Sequence, residues 1–130
     1  MDPYKKDDLS YFEKSNFVKE LSPKDFDSYI PWKLKGNKCA IVLYYAPWCQ
    51  YCKAVKDTWL KLGETAAFFD VYALNVEKHK AHMAKIKEDM PNLVTSYPTI
   101  IIYQFGKPKE QYQGDRTLKK LTEACMRVCS

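Results

Sequence analysis

Apolar positions gather into three continuous runs, with periodic stretches and turn residues between them. The run "CAIVLYYA", 39–46, is β-branched and aromatic, with "KGNK" before it and Pro47 after it. It does not alternate with polar residues, which predicts a strand buried on both faces. "FFDVYALNV", 68–76, and "TIIIYQF", 99–105, predict two more strands of this kind. "FVKEL", 17–21, alternates and predicts a short strand. "KEQYQG", 109–114, follows the turn "GKP" and predicts an antiparallel partner for the run before it.

Helical signals fill the gaps. Ser22 as a cap, Pro23 at the first helical position and Asp25 in the first turn predict a short helix over 22–30. "YCKAVKDTWLKLGE" places Ala54, Val55, Trp59 and Leu62 at helical spacing, with Gly63 as the stop. A polar helix over 77–90 takes its apolar positions from Ala81, Met83, Ala84 and Ile86 and breaks at Pro91. The last helix, 115–129, opens on Asp115 or Thr117 and carries Leu118, Leu121, Cys125 and Val128 on one side. Residues 1–14 are polar and unpatterned, a flexible lead-in to one domain over 15–130. The order β-α-β-α-β-α-β-β-α predicts an α/β fold, a mixed central sheet flanked by helices.

Composition narrows the function classes. With 46% hydrophobic and 28% charged residues in 130, the chain reads as a globular domain. No apolar run approaches the roughly 20 residues of a membrane span, so no membrane role is expected. The net charge of +5 is spread over "KKDD", "EKHK" and "KIKED", where both signs alternate. That is a solvated surface and not a nucleic-acid face. The opening residues lack an apolar h-region, so an intracellular, cytoplasmic location is expected.

The chemistry lies in "YYAPWCQYCKAV", 44–55. Cys49 falls after a buried strand and at the start of a helix, where unpaired backbone N–H groups favour an anion. A thiolate is the nucleophile of disulfide exchange. Cys52, one helical turn on, is near enough to close a disulfide and resolve a mixed one. In a strand–helix–strand context this spacing is a strong redox signal. Two other uses are weighed against it. Plain core packing suits "PWCQYC" poorly. A zinc site of Cys49, Cys52, His79 and His82 needs four converging ligands, but the histidines sit on a different helix and are expected to face water. No metal is assigned.

At this point a family resemblance appears. "VLYYAPWCQYCKAV" resembles the active-site segment of the thioredoxin superfamily, in its protein disulfide isomerase branch. "VKELSPKDFDSYI", "SYPTIIIY" and "YQGDRTLKKL" resemble that branch's opening strand and helix, its cis-proline segment and its last strand-to-helix turn. The resemblance covers about residues 17–128 and implies a thioredoxin-like fold. It implies a thiol–disulfide oxidoreductase acting on protein thiols or disulfides, with Cys49 attacking and Cys52 resolving. Trp48, Tyr97 and Pro98 would meet the substrate, and Arg116 would favour the Cys52 thiolate. No cofactor is implied, and the redox partner is left unidentified.

The chain departs from the family in two places. Leu43 stands where a buried acid is usual, and Ala73 where its partner lysine is usual. An apolar pair is tolerated where a lone buried charge is not. Gln50-Tyr51 replaces Gly-His, so no imidazolium neighbours Cys49. These losses keep an alternative open: a slow or inactive thioredoxin-like interaction module. Five cysteines leave at least one unpaired within the chain. Cys125 is expected in the core, Cys39 as an inert strand thiol, and Cys129 as exposed and able to link two otherwise monomeric chains.

Overall fold

The computed structural model describes residues 9–130. Five strands form one sheet: β1 (Lys19–Glu20), β2 (Ala40–Tyr45), β3 (Asp70–Asn75), β4 (Thr99–Gln104) and β5 (Lys107–Tyr112), in the order β1-β3-β2-β4-β5. β3 runs parallel to both β1 and β2, while β4 runs antiparallel to β2 and β5. Three helices complete the fold: α1 (Gln50–Thr65), α2 (Lys80–Asp89) and α3 (Leu118–Val128). The fold is thioredoxin-like, as the sequence predicts.

All six residues of β2 are buried, which accounts for the absence of alternation in that run. β5 alternates exposed with half-buried residues, as an edge strand does, and carries Pro108 without breaking an inner ladder. Phe105 and Gly106 join β4 to β5 with φ of 56° and 79°, the two-residue turn whose twist suits a hairpin. A Cβ on Gly106 would collide with the Leu34 carbonyl oxygen.

Several elements differ from expectation. The helix over 22–30 shrinks to a 3-10 turn, Pro23–Asp25. The Asp27 side chain accepts from the N–H groups of Tyr29 and Ile30, and Pro31 steers Ile30 away from helical angles. Gly63 does not end α1. It lets the helix approach the Phe17 carbonyl, which a Cβ would meet at 2.6 Å. Phe68, expected in a strand, precedes β3 and is 80% exposed. The expected lead-in falls outside the described residues over 1–8. Within the rest of it, Phe12 is buried and the Tyr11 ring stacks on Tyr45 at 4.3 Å.

Cys39 and Cys129 are joined as a disulfide, with Cα atoms 5.8 Å apart. Neither the inert Cys39 nor the freely exposed Cys129 of the sequence reading survives. The pairing spans 90 positions, and no local pattern announces it. Cys125 is buried and free.

Candidate active site at the start of helix α1

β2 delivers the chain through Ala46, Pro47 and Trp48 to Cys49, which caps α1 with φ −78° and ψ 123°. A capping side chain accepts from the first orphan N–H groups of a helix. Here the acceptor is sulfur: the Cys52 N–H donates to Cys49 Sγ at 3.3 Å. The Cys49 thiol in turn donates to the Tyr97 carbonyl at 3.5 Å. Tyr97 precedes Pro98 through a cis peptide bond. The Cys49–Tyr97 hydrogen bond holds the loop before β4 against the tip of α1.

The two thiols differ in surroundings. Cys49 is 8% exposed, and Cys52 is fully buried. Burial pushes the Cys52 thiol up to about 12, and its hydrogen bond with Cys49 adds to that. The Ala46 backbone and the positive charge of Arg116 oppose the shift. Arg116 thus stands where its charge reaches Cys52, although it lies just outside α3, far along the chain.

Around Cys49 the rim is aromatic. Trp48, Tyr51 and Tyr97 are all exposed. The Trp48 indole N–H donates to Glu77 Oε1 at 2.9 Å. Glu77 also pairs with Lys80 at 3.1 Å. Its backbone N–H donates to the Asn75 side chain at 3.0 Å, and Asn75 is fully buried. Sequence reasoning missed Glu77. The one available signal was an indole N–H in need of an acceptor, and that acceptor lies 29 residues on.

A second contact, also missed, holds the active-site turn from behind. The Tyr11 hydroxyl donates to the Pro47 carbonyl at 2.8 Å, and its backbone N–H donates to the Tyr45 hydroxyl at 2.8 Å. The Tyr45 hydroxyl donates to Glu20 Oε2 at 2.6 Å. The polar lead-in hid this, because a period-based reading gives no weight to isolated aromatics.

Leu43 and Ala73 are register partners on β2 and β3, and both are fully buried. The apolar pair therefore occupies one place in the sheet, with Ile100 opposite Leu43 on β4. His82 is buried, its ring centroid 4.4 Å from that of Phe26, which corrects the expectation that it faces water. Among the described residues no group of three or more His, Cys, Asp or Glu could hold a metal ion. No described helix is long and apolar enough to cross a membrane.

Known proteins resemble this chain along most of its length. The Thioredoxin family model matches residues 17–127. Protein disulfide-isomerase like 2-2 of Arabidopsis thaliana is 31% identical over 113 residues, covering 86% of this chain and 23% of that protein. Protein disulfide-isomerase A6 of Mesocricetus auratus is 30% identical over 119 residues, covering 88% and 25%. The chain thus spans about a quarter of these relatives. Among solved structures, the J-Trx1 fragment of ERdj5 superimposes with a TM-score of 0.71 at 22% identity, covering 89% of this chain and 51% of that one. Malassezia sympodialis thioredoxin gives 0.62 at 20%, covering 85% and 90%.

These relatives overturn the expected cytoplasmic location. The protein disulfide isomerases among them point to the secretory pathway. The expectation had rested on the composition of the opening residues, which carries less weight than similarity along the whole domain. By its matching family model and its relatives, the chain belongs to the thioredoxin family of thiol–disulfide oxidoreductases, as a domain like those of protein disulfide isomerases.

Proposed function

We propose that the domain exchanges disulfides with protein substrates through a Cys49–Cys52 dithiol/disulfide couple. The observation that carries this reading is the Cys49 sulfur at the cap of α1, accepting the Cys52 N–H at 3.3 Å. In the reducing direction the Cys49 thiolate attacks one sulfur of a substrate disulfide. The substrate S–S bond breaks, one substrate thiolate leaves and takes a proton, and a mixed disulfide remains at Cys49. Cys52 then gives up its proton and attacks the Cys49 sulfur, releasing the second substrate thiol. Two electrons pass from the dithiol to the substrate. The opposite direction oxidises a substrate dithiol. A redox partner resets the pair, and no cofactor enters.

Trp48, Tyr97 and Pro98 receive the substrate chain in this reading. The exposed indole offers apolar surface, and Tyr97 offers backbone groups beside Cys49 Sγ. Arg116 acts at the second step, since its charge lowers the cost of forming the Cys52 thiolate. The buried Leu43–Ala73 pair supports a second reading, a slow interaction module, because no buried carboxylate there can take the Cys52 proton. Insulin reduction by dithiothreitol separates the two. The oxidoreductase reading predicts acceleration by the wild type and none by Cys49→Ser. Cys52→Ser is expected to accumulate substrate linked at Cys49. A wild-type rate equal to that without protein supports the module.

A further inference from the structure

Cys39 is the residue before β2, and Cys129 is the cap that ends α3. Each is fixed by its own backbone. The Cys39 carbonyl accepts from Asp70 N–H at 2.9 Å, and the Cys129 N–H donates to the Cys125 carbonyl at 2.9 Å. Their Cα separation of 5.8 Å is an ordinary one for a disulfide. Both backbone positions are thus also held by contacts other than the bond itself.

Its place in the sheet matters as much as its existence. Cys39 and Cys49 flank the six residues of β2 at opposite ends. At roughly 3.3 Å per residue, that strand alone puts about 20 Å between the two redox sites. Cys49 of the same molecule cannot attack the Cys39–Cys129 bond. Cys125, one turn before Cys129, is buried, and burial pushes its thiol up to about 12, so little thiolate forms there to shuffle the pair.

We propose that Cys39–Cys129 is a permanent structural clasp, chemically separate from the Cys49–Cys52 pair, so that the domain cycles one disulfide and keeps the other. The clasp forms when one thiolate of the pair attacks a low-molecular-weight disulfide such as oxidised glutathione. One glutathione leaves as thiol, and the other stays as a mixed disulfide. The second cysteine attacks the protein sulfur of that bond and releases the second glutathione. Two protons and two electrons pass from the cysteines to the glutathione disulfide. Such a bond persists where the thiol pool is oxidising.

The clasp acts as a staple and not as a switch. α3 is held independently by buried Leu121, Ala124 and Cys125. The Arg127 guanidinium also grips the Glu110 carboxylate through two hydrogen bonds of 2.9 Å. Opening the disulfide leaves the helix docked. What changes is the unfolded chain, which regains the freedom of a closed loop spanning 90 positions.

The test uses the full chain purified without reductant. Free thiols are alkylated under native conditions, and digested peptides are mapped by mass spectrometry before and after equilibration in a glutathione buffer that reduces Cys49–Cys52. A Cys39–Cys129 linked peptide is expected in both samples. Its absence in either overturns the proposal. A Cys39→Ser/Cys129→Ser variant is expected to melt about 10 °C or more below the wild type. Its Cys49–Cys52 equilibrium with glutathione is expected to stay within about threefold of the wild type. An unchanged melting temperature, or a larger shift in that equilibrium, refutes the staple. Should the variant not fold, the wild-type peptide map decides alone.

Discussion

Glu20→Gln removes an ionisable group from the network behind the active-site turn, and its effect should depend on pH in a defined direction. Glu20 Oε2 accepts from the Tyr45 hydroxyl at 2.6 Å and from Phe12 N–H at 3.0 Å. Oε1 is buried with no hydrogen-bond partner among the described residues. Burial raises the carboxyl from 4.5 to about 6 against the pull of those two bonds, while Glu13 raises it slightly and Lys78 lowers it. The native state therefore holds this proton more tightly than the unfolded chain does. Glu20 favours folding most below about pH 4.5, and that contribution is lost as pH rises through about 6. At about 1.36 kcal/mol per pH unit, the gap amounts to ~2 kcal/mol. Gln stays neutral and keeps both an acceptor and a donor. Urea unfolding of wild type and Glu20→Gln at pH 4 and pH 7.5 measures the difference. It should move by about 2 kcal/mol in favour of the variant at the higher pH. A difference constant to within about 0.5 kcal/mol would refute the buried-carboxylate reasoning.

Three further outcomes are expected. Leu43→Asp should lose at least about 4 kcal/mol of stability in denaturant titrations at pH 7, from lost packing plus a buried acid without a partner. Ala73→Lys should recover part of that loss in a double-mutant cycle, and a neutral Leu43→Asp would show that this layer admits water. Glu77→Gln should cost under about 1 kcal/mol, since its contacts are exposed, yet change Trp48 fluorescence and slow insulin reduction a few-fold. Unaltered fluorescence and rate would mean that Glu77 does not hold the ring. Tyr11→Phe keeps the ring stack on Tyr45 and deletes the hydroxyl that donates to Pro47, so denaturation should detect a loss of about 1 kcal/mol. Unchanged stability would mean that water replaces the hydroxyl.

The fold was legible wherever one period dominated. β2 and β4 are buried on both faces and read as apolar runs, β3 keeps only Asp70 and Tyr72 half-buried, and α1 and α3 show one apolar side. The helix that the cap at Ser22 predicts stops at a 3-10 turn, Pro23–Asp25. A good cap starts a helix but does not extend it, and the Asp27 side chain captured the next two N–H groups. Cys49 and Cys52 were visible because a strand, a two-residue gap and a helix fix their geometry locally. Glu77, Tyr11 and the Cys39–Cys129 bond were not. Each joins residues 29 or more positions apart, and only the folded sheet brings them together. Phe68 misled for the converse reason: an apolar residue beside a strand is not thereby in it.

The central claim is that Cys49 and Cys52 form a working redox couple. Its most direct test is the reduction potential of that pair, measured by equilibration in defined thiol buffers with alkylation of the remaining thiols. The account predicts a reversible disulfide between these two residues, with a midpoint between roughly −270 mV, typical of a reductant, and about −180 mV, typical of an isomerase. If no Cys49–Cys52 disulfide forms at any poise, the account is contradicted, and the cap of α1 is a binding feature without redox chemistry.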